Sequence, residues 1–217
     1  MKQFRTRAVL FALIALPVLA LLLSGCEYYM FGHIRQDIWF NENGGGFVKL
    51  SLEFEVPDSE VYEQSLEIAR INWMTDYLSR IVGRDGIRLL RYEVKEKTDL
   101  LGDTILHELE FAFADLAVLD LILSSSDREG IYWSDTNYDD IVIEPAALYM
   151  FSTSILEKAS WIDNLNFELN FHTPGELIDP LQQEGFSTPD SQTLSWQGSL
   201  YEGVVETFPE QIILKFF

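Results

Sequence analysis

The residues best placed to bind a metal form an acidic turn in the middle of the chain. Asp135, Asn137 and Asp139 match the first, third and fifth positions of an EF-hand calcium loop. The sixth position should be glycine, for the sharp turn, and is Asp140; the twelfth should be glutamate, the bidentate ligand, and is Ala146. An ordinary solvated acidic turn at residues 135–140 is the favoured interpretation, and weak calcium binding stays open.

The three histidines do not form a recognisable catalytic or metal-binding pattern. His33, His107 and His172 are far apart and lack the His-Glu-x-x-His spacing of zinc sites. No Gly-x-Ser-x-Gly motif for a serine nucleophile is present either. We expect His107 to point inward, as a hydrogen-bonded core histidine. The sequence therefore predicts a protein that is not an enzyme and that needs no metal or cofactor.

The single cysteine, Cys26, follows a segment with the parts of a secretory signal. A positive head precedes an apolar run over residues 8–23, which is too short to span a bilayer. Small residues, Ser24 and Gly25, come directly before the cysteine. This arrangement resembles the lipobox of bacterial lipoproteins, which implies that residues 1–25 are removed and that the sulfur of Cys26 is acylated. A signal anchor that happens to end in cysteine is the alternative.

Composition argues against some classes of partner for the residues that remain after cleavage. Removing 25 of the 217 residues leaves 192, enough for one domain with a substantial core. The removed segment carries three basic residues and no acidic ones, so the formal charge falls from −20 to −23. Such a charge argues against nucleic acid as a partner and against attraction to anionic headgroups. With its only cysteine acylated, the chain cannot form an internal disulfide.

A short lipidated tether, residues 26–31, would hold the domain near a membrane. Six residues reach at most about 20 Å. Tyr28, Tyr29 and Phe31 suit a membrane–water interface, although they could equally cap the core of the domain. The predicted location is the bacterial envelope, on the extracytoplasmic side of a membrane. Glu27, in place of the aspartate associated with inner-membrane retention, points towards the outer membrane.

Alternating apolar and polar residues predict a mainly antiparallel sheet. The clearest strands, at residues 48–56, 103–114 and 165–171, place apolar side chains on one face only. The glycine-rich residues 41–46 predict a hairpin turn before the first of them. A short helix is expected at residues 115–123. Further strands are expected at residues 34–40, 86–97, 130–134, 141–144, 192–197 and 211–217.

One long helix is predicted from the start signals at Asp58 and Ser59 to the stop signal at Gly83. It has two apolar rows, whereas a surface helix needs one. The second row is rich in aromatic residues, and it could line a ligand groove between helix and sheet or be buried on both sides. The candidate ligand-binding residues of that row are Tyr62, Leu66, Trp73 and Tyr77.

Three segments together resemble the LppM-like lipoprotein domain: "IRQDIWFNENGGGFVKLSLEFEV", "ELEFAFADLAVL" and "FELNFHTPGELIDP…TLSWQG". That family places a lipidated cysteine before a glycine-turned hairpin, then a long helix, then a Pro-Gly turn and a strand with tryptophan. The last features correspond here to Pro174, Gly175 and Trp196. The resemblance covers most of residues 32–217 in order. It implies an envelope protein that handles lipid or glycolipid, without catalytic residues.

Together these observations predict an α+β fold, in which a mainly antiparallel sheet packs against one long and one short helix in a single compact domain, residues 32–217. The expected function is non-enzymatic binding of a lipid or glycolipid by a protein held to the membrane through acyl chains on Cys26. The alternative is a structural module that docks on another envelope protein.

Overall fold

The computed structural model describes residues 31–56, 74–99, 102–124, 130–134, 137–144, 148, 164–178, 186–201, 204–205 and 211–215. Strands make up 67% and helix 14% of the structure. The helices are α1, residues 74–81, and α2, Leu116–Leu123. The strands are β1 (Phe31–Phe40), β2 (Gly46–Val56), β3 (Ile87–Asp99), β4 (Gly102–Phe113), β5 (Ile131–Ser134), β6 (Asn137–Ile143), β7 (Asn164–His172), β8 (Phe186–Asp190), β9 (Thr193–Tyr201), β10 (Val204–Val205) and β11 (Ile212–Lys215).

The described strands form two sheets. The large sheet has eight strands in the order β10-β9-β7-β1-β2-β4-β3, with β8 also paired to β9. All its pairs are antiparallel except β1 with β7, which run parallel, so the sheet is mixed. The small sheet has three antiparallel strands in the order β11-β6-β5.

One face of the large sheet, the inner face, carries most of the core. Successive side chains of a strand point to opposite faces, and the apolar ones fall on the same side of five neighbouring strands. Burying each such side chain contributes about 1.5–3 kcal/mol, so this face dominates the stability of the fold. Its buried apolar residues are Ile34, Ile38, Phe40, Val48, Leu50, Leu52, Phe54, Leu109, Phe111, Phe113, Leu165, Phe167, Leu169, Phe171, Leu194 and Trp196.

Both helices and the small sheet join the same cluster of buried residues. The helix α1 contributes side chains spaced three and four residues apart, which fall on one face of a helix. The members of the cluster outside the large sheet include Met74, Tyr77, Ile81, Leu116, Leu119, Ile122, Leu123, Ile131, Ile141, Ile143, Ile212 and Leu214.

The predicted α+β class is wrong. The structure is mostly β, with two short helices and a large mixed sheet, and not a sheet packed on one long helix. Of the segment predicted as that helix, residues 74–81 are helical and residues 57–73 lie outside the described residues. Much of the apolar surface opposite the large sheet comes instead from α2 and the small sheet. The strands of the small sheet are short, so their sequence pattern carries little information about packing.

The predicted hairpin between β1 and β2 is confirmed. Its turn is closed by a hydrogen bond from the N–H of Asn41 to the carbonyl oxygen of Gly45, 2.8 Å long. Gly44 has φ +80°, a backbone conformation that favours glycine. A Cβ atom on Gly46 would lie 1.8 Å from the carbonyl oxygen of Trp39. The glycines therefore shape a tight turn and allow two backbones to meet.

Backbone groups at both ends of α2 are hydrogen-bonded by side chains. Asp115 is the N-cap, and its carboxylate accepts a hydrogen bond from the N–H of Val118, 2.9 Å long. At the other end, Arg80 of α1 donates to the carbonyl oxygens of Ile122 and Ser124, each at 2.9 Å. Because the last carbonyls of a helix lack partners within it, this arginine fastens α1 to α2.

Most predicted strands are confirmed, as is the short helix over 115–123. The strands β8 and β10 were not predicted. Residues 1–30, which include the signal segment, Cys26 and most of the tether, lie outside the described residues, as do residues 216–217.

Candidate functional site

Only one of the four predicted groove residues, Tyr77, lies within the described residues. Tyr77 is 4% exposed and belongs to the core cluster. Tyr62, Leu66 and Trp73 lie outside the described residues. Two clefts in the described part of the chain are lined by other residues.

The acidic turn is described only in part. Asp135 lies outside the described residues, and Asp140, on β6, is buried with its Oδ2 3.9 Å from Nζ of Lys215. No group of three or more potential metal-ligating side chains occurs within the described part of the chain. His107 points inward as predicted: it is 4% exposed, and its Nδ1 lies 3.3 Å from the hydroxyl of Tyr92.

The other face of the large sheet, the outer face, carries a buried carboxylate, Asp37, at its centre. Asp37 is on β1 and only 3% exposed. Arg35 donates two hydrogen bonds to it, at 2.8 and 3.0 Å, and Asn170 of β7 donates a third at 2.9 Å. Asn170 also donates to Glu168, so its amide group faces two acceptors. We call Arg35, Asp37, Glu168, Asn170 and His172 the Asp37 cluster.

These contacts determine the ionisation of Asp37. Burial on its own raises the pKa of the carboxyl, but the hydrogen bonds to it and the charge of Arg35 outweigh burial and hold the pKa well below its ordinary value. The Arg35 and Asn170 contacts are the stronger part of this effect, since Nε2 of His172 is 3.5 Å from Oδ1 of Asp37. The same pairing raises the pKa of Arg35. Asp37 is therefore an anion that holds β1 and β7 together.

His172 continues the cluster towards β9. Its Nδ1 lies 3.0 Å from the hydroxyl oxygen of Thr193, which is itself 3.0 Å from Oδ2 of Asp190. A carboxylate can only accept, so the hydroxyl donates to Asp190 and accepts from the protonated Nδ1 of His172. Thr193 is 6% exposed, and its proton is committed to Asp190. This arrangement is suited to fixing side chains rather than to presenting a nucleophile.

Three parallel rings cross the outer face next to the Asp37 cluster. The ring of Trp39 is stacked between His172, at a centroid distance of 4.4 Å, and Phe47, at 4.2 Å, with planes within 9° of parallel. These residues are directly paired neighbours on β7, β1 and β2, whose spacing of about 4.8 Å brings the rings into contact. We call His172, Trp39 and Phe47 the ring stack.

A cleft of about 460 Å³ opens where the ring stack ends. Its apolar lining includes Trp39, Phe47, Leu90 and Ala112, and its polar lining includes Arg88 and Glu110. Phe47 is 40% and Leu90 46% exposed, so two large apolar side chains face solvent at this point. The volume lies within the range of small-molecule sites.

A second cleft, about 500 Å³, lies at the β1–β2 turn. Both clefts include Phe40 and Asn41, and Pro174 lines the second one. The hairpin turn therefore separates two adjoining depressions.

A second charged cluster surrounds Glu108 on β4. Lys95 donates a hydrogen bond to it, Nζ of Lys49 is 3.3 Å from Oε1, and Nη2 of Arg91 is 3.7 Å from Oε2. The hydrogen bond from Lys95 is the main reason why the pKa of Glu108 is lowered. We call Lys49, Arg91, Glu93, Lys95 and Glu108 the Glu108 cluster.

Part of this site was visible in the sequence, although it was not recognised. The alternation along β7 places Asn170 and His172 on the face opposite the apolar residues. Trp39 and Phe47 flank the glycine turn, on that same face of β1 and β2. What the sequence lacks is the register of β1 against β7, which joins Asp37 to a residue 133 positions later.

No protein-family model matches the chain, and no curated protein matches it. The resemblance to LppM-like domains therefore stays a prediction. Within the ranges that the structure describes, no helix is both long and apolar enough to cross a membrane.

Proposed function

We propose that this protein is a lipid-anchored protein of the bacterial envelope whose domain binds an amphiphile, a lipid or glycolipid, in the cleft between Phe47 and Leu90. The anchor is Cys26, as the lipobox pattern implies. An amphiphile needs both an apolar surface and polar groups beside it. The cleft offers both, and this is the observation that carries the proposal.

The exposed apolar side chains support binding more than stability. Phe47 and Leu90 still expose 40% and 46% of their surface in the folded protein. Covering them with the apolar part of a ligand would remove that surface from water, at about 25 cal/mol per Å². The polar part of the ligand would then face Arg88 and Glu110, which lie in the same cleft.

The location of the site differs from the sequence-based expectation. We place the site in the cleft on the outer face of the large sheet, whereas the sequence predicted a groove whose residues Tyr62, Leu66 and Trp73 lie outside the described residues. The acidic character of the chain is consistent with this proposal, because the contact does not depend on anionic headgroups.

Photo-crosslinking in living bacteria tests the proposal on the full chain. Benzoylphenylalanine replaces Leu90 in the cleft or, as a matched control, Leu121 on α2, which is 57% exposed. We expect mass spectrometry to find a lipid adduct at position 90 and none at position 121. Equal adducts at both positions would indicate mere proximity to the membrane, and that result or a complete lack of adducts would contradict the proposal.

A second candidate function is docking on another envelope protein. The strand β3 favours this function, because β3 is the last strand in the described order of the large sheet. Its apolar residues Leu89, Tyr92 and Val94 are 42%, 39% and 49% exposed. The unpaired edge of a strand can accept a strand from a partner. Benzoylphenylalanine at Tyr92 would then trap one protein in stoichiometric amount, with no lipid adduct at position 90.

A further inference from the structure

A single row of side chains crosses six strands of the large sheet on its outer face. In spatial order the row runs through directly paired residues of β9, β7, β1, β2, β4 and β3. Its members are Thr193, His172, Trp39, Phe47, Ala112 and Arg88. The ring stack occupies the second to fourth positions of the row, and Ala112 and Arg88 follow it.

The ring stack ends at Phe47 because the next residue of the row, Ala112, carries only a methyl group. One face of the Phe47 ring lies against Trp39, so its other face points along the row, over Ala112. Arg88 stands beyond Ala112, two strand spacings from Phe47 or about 9.6 Å. A space one side chain wide is therefore left between the phenyl face and the arginine, and it is part of the cleft.

The width of this space matches one flat ring. A ring centred above Ala112 would lie about 4.8 Å from Phe47 and from Arg88, close to the spacing of the ring stack itself. It would stack on the phenyl group on one side and meet a guanidinium on the other, which is a favourable position for an aromatic ring. Leu90 closes the same side as Arg88 with an apolar surface.

Among the described residues, the polar side chains of the cleft keep hydrogen-bond donors and acceptors for a ligand. Within the described residues Arg88 has no ion-pair partner. Glu110 makes only long contacts there, with its Oε1 3.9 Å from Nζ of Lys49 and 3.8 Å from Nη1 of Arg91. The cleft thus presents a donor and an acceptor to the edge of whatever ring enters it.

We call the space over Ala112, between Phe47 and Arg88, the slot. We propose that the slot binds a planar aromatic ring that carries a hydroxyl or similar hydrogen-bonding group, and that this ring is the head of the amphiphile. The inference rests on the proposed function and narrows its ligand. The ring continues the stack of His172, Trp39 and Phe47, and its polar group bonds to Glu110 or Arg88. A sugar ring lacks the flat π-face that both walls of the slot favour.

Nuclear magnetic resonance of the full chain in phosphatidylcholine nanodiscs, with labelled alanine methyl groups, tests this slot. The probes are 4-methylphenol and 4-methylcyclohexanol, which share a size and a hydroxyl group but differ in aromaticity, together with methyl glucoside. We expect 4-methylphenol to bind roughly tenfold more tightly than the other two. It should move the Ala112 methyl resonance downfield, because that methyl group faces the edge of a ring stacked on Phe47.

Three substitutions distinguish the slot from the rest of the outer face. Ala112→Leu should abolish the binding of 4-methylphenol by filling the slot, whereas Ser51→Leu, on the same face of β2, should leave it unchanged. Arg88→Ala alters an exposed side chain, so the domain still folds, and it should weaken binding several-fold. Equal binding of the three probes, or binding that survives Ala112→Leu, would overturn the proposal.

The two proposals fail in different ways. A lipid adduct at position 90 without preferential binding of 4-methylphenol overturns the aromatic head and leaves the proposed function standing. The lack of both overturns both. A 4-methylphenol complex that prevents the adduct at position 90 supports both, because ring and lipid then compete for one cleft.

Discussion

Two carboxylates, Asp37 and Glu108, lie on the outer face of one sheet, and their surroundings differ. Both are almost inaccessible, at 3% and 8% exposure, and both have a lowered pKa. Asp37 is bonded by an amide and a guanidinium at good geometry. Glu108 is surrounded by Lys49, Arg91 and Lys95, whose side chains are 34% to 46% exposed.

Two carboxylates with similar burial can therefore have different structural roles. The Asp37 cluster joins two strands distant in sequence through the buried amide of Asn170, and Arg35 holds the same carboxylate with two hydrogen bonds. The Glu108 cluster consists of long side chains that can exchange partners or turn to water, and such exposed pairs contribute little. We therefore expect the Asp37 cluster to determine the assembly of the sheet and the Glu108 cluster to adjust its surface charge.

The largest expected effect is that of Asp37→Ala. It leaves Arg35 and Asn170 without their shared acceptor in a buried position. We expect the free energy of unfolding to fall by about 3 kcal/mol, measured by urea denaturation at neutral pH. Asp37→Asn keeps the shape and one acceptor, so it should cost less. A loss no greater than that of Glu108→Ala would contradict the contrast between the two clusters.

Lowering the pH should remove the contribution of Asp37 to the free energy of unfolding. Because the pKa of Asp37 is lower in the folded state, the stability it contributes is present above its unfolded pKa of about 3.9 and is lost as pH falls towards the folded value. Unfolding curves of the original protein and of Asp37→Asn, taken from pH 6 downwards, should therefore converge below about pH 4. A constant difference across this range would show that ionised Asp37 is not the stabilising form.

The next effect tests the ring stack that borders the Asp37 cluster. Trp39→Leu removes two ring contacts and Phe47→Leu removes one. At about 0.5–1.5 kcal/mol for each aromatic pair, the first should cost about twice as much as the second by urea denaturation. Equal losses would mean that Trp39 contributes only through its apolar area.

The smallest effect is expected from Glu108→Gln. The change removes one charge from a cluster with exposed partners, and we expect a loss of about 0.5–1 kcal/mol at low ionic strength. Added salt should reduce the loss further, because it screens exposed charges. The destabilisation by Asp37→Ala should change little with salt, and a strong salt dependence there would erase the distinction between the clusters.

The sequence predicted the strands well because their evidence is local. Alternation along β2, β4 and β7 identified both their position and their inner face, and the glycines at residues 44–46 identified the hairpin. The prediction of a long helix packed on the sheet was wrong, because it rested on local start signals at Asp58 and Ser59 and a stop signal at Gly83. Propensity and periodicity state what a segment prefers, not what packs upon it.

The site could not be predicted, because it depends on which strands become neighbours. The ring stack needs the register that places His172 beside Trp39 and Trp39 beside Phe47. A shift of one residue would turn each of these rings to the other face. The slot depends also on Ala112 being small, and its significance appears only once the row across the sheet is known.

The parallel pairing of β1 with β7 has a consequence for how the chain matures. The β1–β2 hairpin can form as soon as its residues are synthesised, but the second edge of β1 waits for a strand that begins at residue 164. Closing so long a loop is slow, and until it closes the waiting edge can recruit strands from other molecules. Chains interrupted before that point should therefore aggregate during biogenesis, and cellular factors that shield nascent strands should matter most in that interval.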